Sequence, residues 1–152
     1  MIYNLWKLLH VLSAIIFIGN ITIGIFWKIQ ADKSKDRIII ADTFKNIIKG
    51  DKIFTMPSVT ALILFGLGTA MQGNYSLIET GWIFWSIIMI IISAYAFMAH
   101  VVPLQKKIYA LASDQEKFSW DNYSVLSKKW NMWGSIAIIT PYLAVILMVL
   151  KP

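Results

Sequence analysis

Residues 81–102 read GWIFWSIIMIIISAYAFMAHVV, a run without a single Asp, Glu, Lys or Arg. A helix needs about 20 apolar residues to cross a hydrocarbon core about 30 Å thick. Further apolar runs occupy residues 4–28, 54–72 and 131–150. None of the four alternates with a period of two, which disfavours a β-barrel. The sequence therefore predicts an all-α, integral membrane four-helix bundle, with residues 1–152 forming a single membrane domain.

The composition agrees with a membrane location. Hydrophobic residues make up 58% of the chain and charged residues 14%, whereas a soluble domain carries about 25% charged residues. The isoelectric point near 9.6 could indicate nucleic-acid binding, but the basic residues lie beside apolar runs, so we expect a lipid bilayer and no nucleic acid as the partner. The chain has no cysteine, which excludes disulfides, thiolate metal sites and iron–sulfur clusters. The small residues of the fourth run are too few to predict an oligomeric state.

The basic residues predict the orientation. Twelve of them lie between the first and second runs or between the third and fourth, namely Lys28, Lys33, Lys35, Arg37, Lys45, Lys49, Lys52, Lys106, Lys107, Lys117, Lys128 and Lys129. Only Lys7 and Lys151 lie at the other ends of the runs. Because loops rich in Lys and Arg stay in the cytoplasm, we expect a multi-pass protein of the inner (plasma) membrane. Both termini and the turn 73–80 would lie outside the cytoplasm.

The segments between the runs carry weaker signals. Isoleucines and a phenylalanine recur at helical spacing within residues 38–48, which predicts a short interfacial helix or an extension of the first span. Residues 110–123 are interpreted as a polar connector. Pro57 and Pro103 are expected to mark helix starts and stops. Six tryptophans near the predicted span ends are expected to form an interfacial belt: Trp6, Trp27, Trp82, Trp85, Trp130 and Trp133.

Two predicted spans carry polar residues on one face. His10, Ser13, Phe17, Asn20 and Gly24 recur at steps of three and four in the first span, and Ser86, Ser93 and His100 at steps of seven in the third. These faces should point into the bundle, whereas Ile16 and Ile23 should face lipid. Serine and glycine in such positions are commonly packing residues, and Asn20 would serve as an interhelical hydrogen-bonding group.

The two histidines are the candidates for chemistry. His10 could ligate haem iron, relay protons or hydrogen-bond a neighbouring helix. His100 is expected to be structural or to face lipid. Helix rise places them roughly 20 Å apart in depth, so one haem cannot bind both. For a haem b, His10 would be the metal ligand, with Ser13 and Gly66 lining the site, since Gly66 and Gly68 of the second span leave room for a flat ring.

Acidic residues are missing from the predicted spans. A carboxylate base would therefore be absent from the membrane region, which disfavours hydrolytic and transferase chemistry. The same absence argues against a transporter driven by protons or cations bound to Asp or Glu.

Two stretches carry a family resemblance. Leu5-Trp6-Lys7-Leu8-Leu9-His10-Val11-Leu12-Ser13, and the stretch 57–67, PSVTALILFGL, resemble a family of predicted bacterial integral membrane proteins known as domain of unknown function 2269. They are also similar to the four-helix membrane protoporphyrinogen IX oxidase of the HemJ type. The second resemblance implies haem b bound through His10 and oxidation of a porphyrinogen. Residues 21–28 lack that oxidase's Pro-Arg pair and second histidine, and Ala96 stands where it has a histidine after Tyr95.

Two functions from different classes follow. The first is a haem-b-binding membrane protein for electron transfer or porphyrin oxidation, with His10 as axial ligand and haem or a porphyrin as partner. The second is a cofactor-free structural subunit or small transporter element, in which His10 and Asn20 join helices.

Overall fold

The computed structural model describes residues 1–152, which form four long helical rods. The α-helices are α1 (Ile2–Ser34), α2 (Arg37–Gly50), α3 (Met56–Gln72), α4 (Gly81–Tyr95), α5 (Val102–Ser113) and α6 (Trp120–Leu150). A π-helical segment, Asp51–Thr55, joins α2 to α3, and a second, Ala96–Val101, joins α4 to α5. All four rods are long and apolar enough to cross a membrane. The predicted all-α membrane bundle is confirmed.

Both π-helical segments precede a proline. Pro57 and Pro103 lie in the first turns of α3 and α5, as predicted for helix starts, but neither proline separates two rods. The rods run through both positions. A proline has no N–H, and its ring collides with the carbonyl four residues earlier. A widened π turn gives those carbonyls other donors, so the helix continues without a break.

The charged segments between the runs are helical as well. Lys35 ends α1 with a positive φ of 49°, and the Asp36 side chain then accepts hydrogen bonds from the backbone N–H groups of Ile38 and Ile39. A new helix therefore begins at Arg37, and residues 38–48 are continuous with the second span. The alternative that they extend the first span is wrong. The polar connector predicted over 110–123 shrinks to residues 114–119, since α5 ends at Ser113 and Ser119 caps α6.

The rods pack in pairs, α1 against α3 and α4 against α6, and α2 packs against α5 beyond them. Ser93 donates a 2.7 Å hydrogen bond to the carbonyl of Ala137, and Ser86 donates one of 3.3 Å to the carbonyl of Ala144. Ser86 and Ser93 are buried, whereas Ile16 and Ile23 are 48% and 53% exposed. The predicted inward side is therefore confirmed, and the residues predicted to face lipid lie on the outside of the bundle.

The largest buried apolar cluster lies towards the charged end of the bundle. It contains Ala31, Ile40, Ala41, Phe44, Ala96, Val101, Ile108, Ala112, Tyr123, Trp130 and Ala137. Trp130 is buried there with its ring edge-on to Phe44, so its assignment to an interfacial belt is wrong. At this end large side chains such as Ile40, Phe44 and Ile108 pack between the rods together with small alanines.

Candidate functional site

His10 is attached to the neighbouring helix. Its Nδ1–H donates a 2.9 Å hydrogen bond to the carbonyl of Leu62 on α3. The ring lies so close to Gly66 that a Cβ there would stand 2.9 Å from Cε1 of His10. The donating Nδ1 leaves Nε2 as the nitrogen with a free lone pair. His10 therefore joins α1 to α3 and keeps one nitrogen available.

The space beside the glycines of α3 is filled by side chains of α1. The indole of Trp6 covers Gly68, where an added Cβ would meet Cε3 of Trp6 at 2.3 Å. Ser13 is buried and donates to the carbonyl of Leu9 in its own helix. A histidine that ligates a metal commonly donates a hydrogen bond from its other ring nitrogen to a backbone carbonyl, as Nδ1 of His10 does to Leu62. The surface over Gly66 and Gly68, however, does not accommodate a porphyrin while His10 and Trp6 occupy it.

His100 lies in a different part of the bundle. It belongs to the second π-helical segment, and its ring stacks on that of Trp133 with centroids 3.6 Å apart and planes within 8°. Tyr95 packs edge-on against it. The two histidines thus contact different helices and form separate sites.

A buried carboxylate forms a second polar centre. Asp51 is 7% exposed and accepts hydrogen bonds on both oxygens: from Thr55 at 2.8 Å and Asn20 at 3.3 Å on Oδ1, and from Gln105 at 3.0 Å on Oδ2. Asn20 also donates to the Thr55 hydroxyl at 2.8 Å. Side chains from α1, the Asp51–Thr55 segment and α5 therefore converge on one carboxylate.

A small cavity adjoins this carboxylate. Its volume is about 30 Å³, and Asp51, Gln105 and Trp130 are among its lining residues. A water molecule needs roughly 10–15 Å³ measured in this way. Trp130 carries the one buried side-chain nitrogen or oxygen of the protein without a hydrogen-bond partner, its Nε1. The cavity has room for a water molecule and polar groups around it.

A buried cation also lies near Trp130. Lys28 is 1% exposed, and its ammonium donates to Asp32 at 2.6 Å, to Ser127 at 2.7 Å and to Asn131 at 2.7 Å. It also lies 5.5 Å from the centre of the Trp130 ring. All three donors of the ammonium are satisfied, which a charge buried among helices requires. The hydroxyl of Tyr123 donates to the second oxygen of Asp32.

Sequence reasoning identified Asn20 but missed its partners. Asp51 was placed in a loop, although it is continuous with the second span and buried. Asp51 lies outside the predicted span 54–72, so the absence of acidic residues from the predicted spans stands, but the packed interior of the rods contains this carboxylate. Two signals were available: Asp51 and Thr55 stand four residues apart, as do Lys28 and Asp32. Such i, i+4 polar pairs lie on one face of a helix.

Four helical rods, each long and apolar enough to cross a membrane, define an integral membrane protein of the helical-bundle class. Residues 4–152 match the family described as predicted integral membrane protein (DUF2269), and the chain belongs to this family. Comparisons with curated proteins and with solved structures found no match.

Proposed function

We propose that this protein is a small membrane transport element in which Asp51 takes up and releases a proton. One observation carries the proposal: a carboxylate is buried among three elements of the bundle and is surrounded by neutral donors. The two salt bridges of the chain join Lys28 to Asp32 and Lys117 to Asp114, so Asp51 has no cationic partner. Ionisable groups within membrane bundles commonly mark ion and proton pathways.

The surroundings of Asp51 are compatible with both the ionised and the protonated form of its carboxyl group. Burial disfavours the charged carboxylate, and the three donors favour it. A proton arriving on Oδ2 would remove the charge and turn that oxygen into a donor. The Gln105 amide can then rotate and accept through its own oxygen, because its two ends exchange places by a simple flip. Gln105 thus matches either state of Asp51 without movement of a helix.

The adjoining cavity supports a path for the proton. A water molecule beside Asp51 could hydrogen-bond the carboxylate and hand a proton to it. The buried Trp130 that lines the same cavity is the contact between this site and Lys28. Lys28, whose ammonium is paired with Asp32 and hydrogen-bonded to Ser127 and Asn131, lies against this ring.

The test separates proton binding from proton transport. Infrared difference spectra of the purified protein between acid and neutral pH should contain a carboxyl band that Asp51→Asn removes. Liposomes holding the protein and a pH-sensitive dye, driven by an imposed membrane potential, should acidify faster than empty liposomes. We expect Asp51→Asn to lower that rate about tenfold or more.

Asp42 provides the matched control, because it is an exposed aspartate of the same rod. Asp42→Asn should keep both the band and the flux of the wild type. A carboxyl band or a proton flux that Asp51→Asn leaves unchanged would contradict the proposal. A band without flux would reduce it to a proton-binding structural subunit.

The proposed orientation follows from the basic residues. Twelve lie at the end of the bundle that holds α2 and α5, and two at the other end. We propose a multi-pass protein of the plasma membrane with both termini outside the cytoplasm. Asp51 and Lys28 would then lie towards the cytoplasmic side.

A second candidate function is haem b binding through His10, for electron transfer or porphyrin oxidation. The hydrogen bond from Nδ1 to Leu62 favours it, because histidine ligands generally donate their other nitrogen to a backbone carbonyl. When bound, the haem would supply one-electron chemistry, and His10 would hold its iron through Nε2. The porphyrin would have to lie against the exposed edge of His10, since Trp6 and His10 cover Gly68 and Gly66.

Absorption spectra of protein purified from haem-supplemented cells test this candidate. A Soret band that shifts on dithionite reduction, and that His10→Ala abolishes while His100→Ala retains it, is the expected outcome for a His10 ligand. Equal haem content in His10→Ala and wild type would contradict the assignment. A spectrum without a Soret band would leave His10 as an interhelical contact.

A further inference from the structure

A groove opens on the surface of the bundle between the third rod, where the second π-helical segment continues into α5, and the fourth rod, α6. Its volume is about 340 Å³, and its lining includes His100, Lys107, Lys129, Met132 and Trp133. This volume is at the lower end of the range for small-molecule sites, about 300–1,000 Å³. The groove is separate from Asp51 and from His10, neither of which lines it.

The charged residues that line the groove are all basic. Lys107 enters from α5 and Lys129 from α6, both are exposed, and no carboxylate belongs to the lining. Neither lysine forms a salt bridge, since the chain's two salt bridges involve Lys28 and Lys117. Two free ammonium groups from facing helices therefore border one opening. This arrangement attracts an anion and offers it several hydrogen-bond donors.

The third polar residue of the groove, His100, is held in place by aromatic side chains. His100 is stacked on Trp133 and closed from the side by Tyr95. Neither of its ring nitrogens forms a hydrogen bond with the protein, and the residue is half-buried. His100 belongs to the π-helical segment that precedes Pro103, and π turns recur at functional sites. The stacked ring can thus present an N–H to a ligand without rearrangement.

The groove lies where the membrane ends. The uncharged run 81–102 stops just before Lys106 and Lys107, and the apolar run of α6 starts just after Lys128 and Lys129. The lysines therefore lie at the water side of the groove, and Ala99, Met132 and Trp133 continue from it along the apolar part of the rods. The groove thus has a basic end and an apolar end, which correspond to the headgroup and the acyl chain of a phospholipid.

We propose that this groove binds an anionic phospholipid of the surrounding leaflet. The lipid phosphate would lie between the ammonium groups of Lys107 and Lys129 and accept a hydrogen bond from His100, with an acyl chain along Met132 and Trp133. Basic pockets between membrane helices bind anionic headgroups by the same physics. A free phosphate would use the lysines but would leave the apolar half of the groove without a partner.

Native mass spectrometry of the whole protein in detergent tests the proposal. Phosphatidylglycerol, phosphatidylcholine and inorganic phosphate are added separately, and the bound fraction is followed against concentration. We expect phosphatidylglycerol to bind at least about tenfold more tightly than phosphatidylcholine. The double variant Lys107→Gln/Lys129→Gln should lose that preference, because each lysine near an anionic headgroup contributes by electrostatic attraction.

The chain offers a matched control in the adjacent lysines. Lys106→Gln/Lys128→Gln removes the same charge from exposed positions outside the groove and should keep the preference. If both double variants lost the preference for phosphatidylglycerol equally, the lipid would be attracted to the charged surface as a whole. This result would overturn the groove as the binding site. Binding of inorganic phosphate as tight as that of phosphatidylglycerol would overturn the lipid as its occupant. Trp133→Ala should weaken the binding of phosphatidylglycerol although both lysines remain, because it removes part of the apolar surface under the acyl chain.

Discussion

His10 occupies the space that a side chain at position 66 would need. Its Nδ1 is bound to the Leu62 carbonyl one turn before Gly66, and a Cβ on Gly66 would approach Cε1 to 2.9 Å and Nδ1 to 3.0 Å. Real Cβ atoms do not come so close to a ring. The glycine therefore permits the hydrogen bond, and the hydrogen bond keeps the ring over the glycine.

Gly66→Ala should force His10 away from Leu62. Overpacking a tight contact costs about 1–3 kcal/mol, so the thermal unfolding midpoint of the detergent-solubilised protein should fall. Gly19→Ala is the control, because nothing lies within 4 Å of the Cβ that it adds on α1. Equal midpoints for the two variants would show that His10 does not hold α1 against α3.

Lys28→Met should destabilise the charged end of the bundle. Methionine has similar length but leaves Asp32, Ser127 and Asn131 without their common donor. Removing one partner of a buried ion pair costs about 3–5 kcal/mol. The loss should be at the lower end of this range or below it, since the Asp32 side chain is 31% exposed.

Urea unfolding of the variants, followed by far-ultraviolet circular dichroism, measures this loss. Lys33→Met is the comparison, because Lys33 is exposed on the same helix and should change stability by less than about 0.5 kcal/mol. A Lys28→Met protein as stable as Lys33→Met would refute a structural role for the buried ammonium.

Ser93→Ala should weaken the contact between α4 and α6 by a small amount. Hydrogen bonds between membrane helices contribute about 0.6 kcal/mol on average, and the Ser93 hydroxyl donates to Ala137 across this interface. Ser135→Ala removes a hydroxyl that bonds only within its own helix and should have no measurable effect on the unfolding midpoint. A larger fall of the unfolding midpoint in Ser135→Ala than in Ser93→Ala would contradict the role of the Ser93 hydroxyl in joining α4 to α6.

A topology reporter tests the orientation. A fluorescent or enzymatic reporter active only in the cytoplasm should be silent when fused after Pro152 and active when inserted at Asp114, which lies in the loop between α5 and α6. The reverse pattern would place Asp51, Lys28 and the lipid groove on the outer side of the membrane.

The apolar runs and polar faces were predictable because they depend on local periodicity. A stretch such as 81–102 can satisfy its backbone in lipid only as a helix, and Ser86 and Ser93 fall on one face by arithmetic. The position of Asp51 was not predictable in this way. Charge suggested a loop, but the π turn before Pro57 carries the helix onward, and Gln105, far along the chain, supplies the partner that makes burial tolerable.

Trp130 illustrates the same limit. A tryptophan near a span end is typical of the interface, and only the packing of α2 against α5 shows that this end of the bundle is covered by protein. The Lys28 network was hidden for a similar reason, because Ser127 and Asn131 lie about a hundred residues away on α6.

The rods of 31 to 36 residues would be about 50 Å long at 1.5 Å per residue, whereas the hydrocarbon layer is about 30 Å thick. Part of each rod would therefore extend beyond the hydrocarbon layer, and at the end that carries α2 and α5 the rods pack around a buried aliphatic and aromatic cluster. The helices α2 and α3 are one rod, as are α4 and α5. The charged end and the apolar parts of these two rods are thus joined by continuous helix.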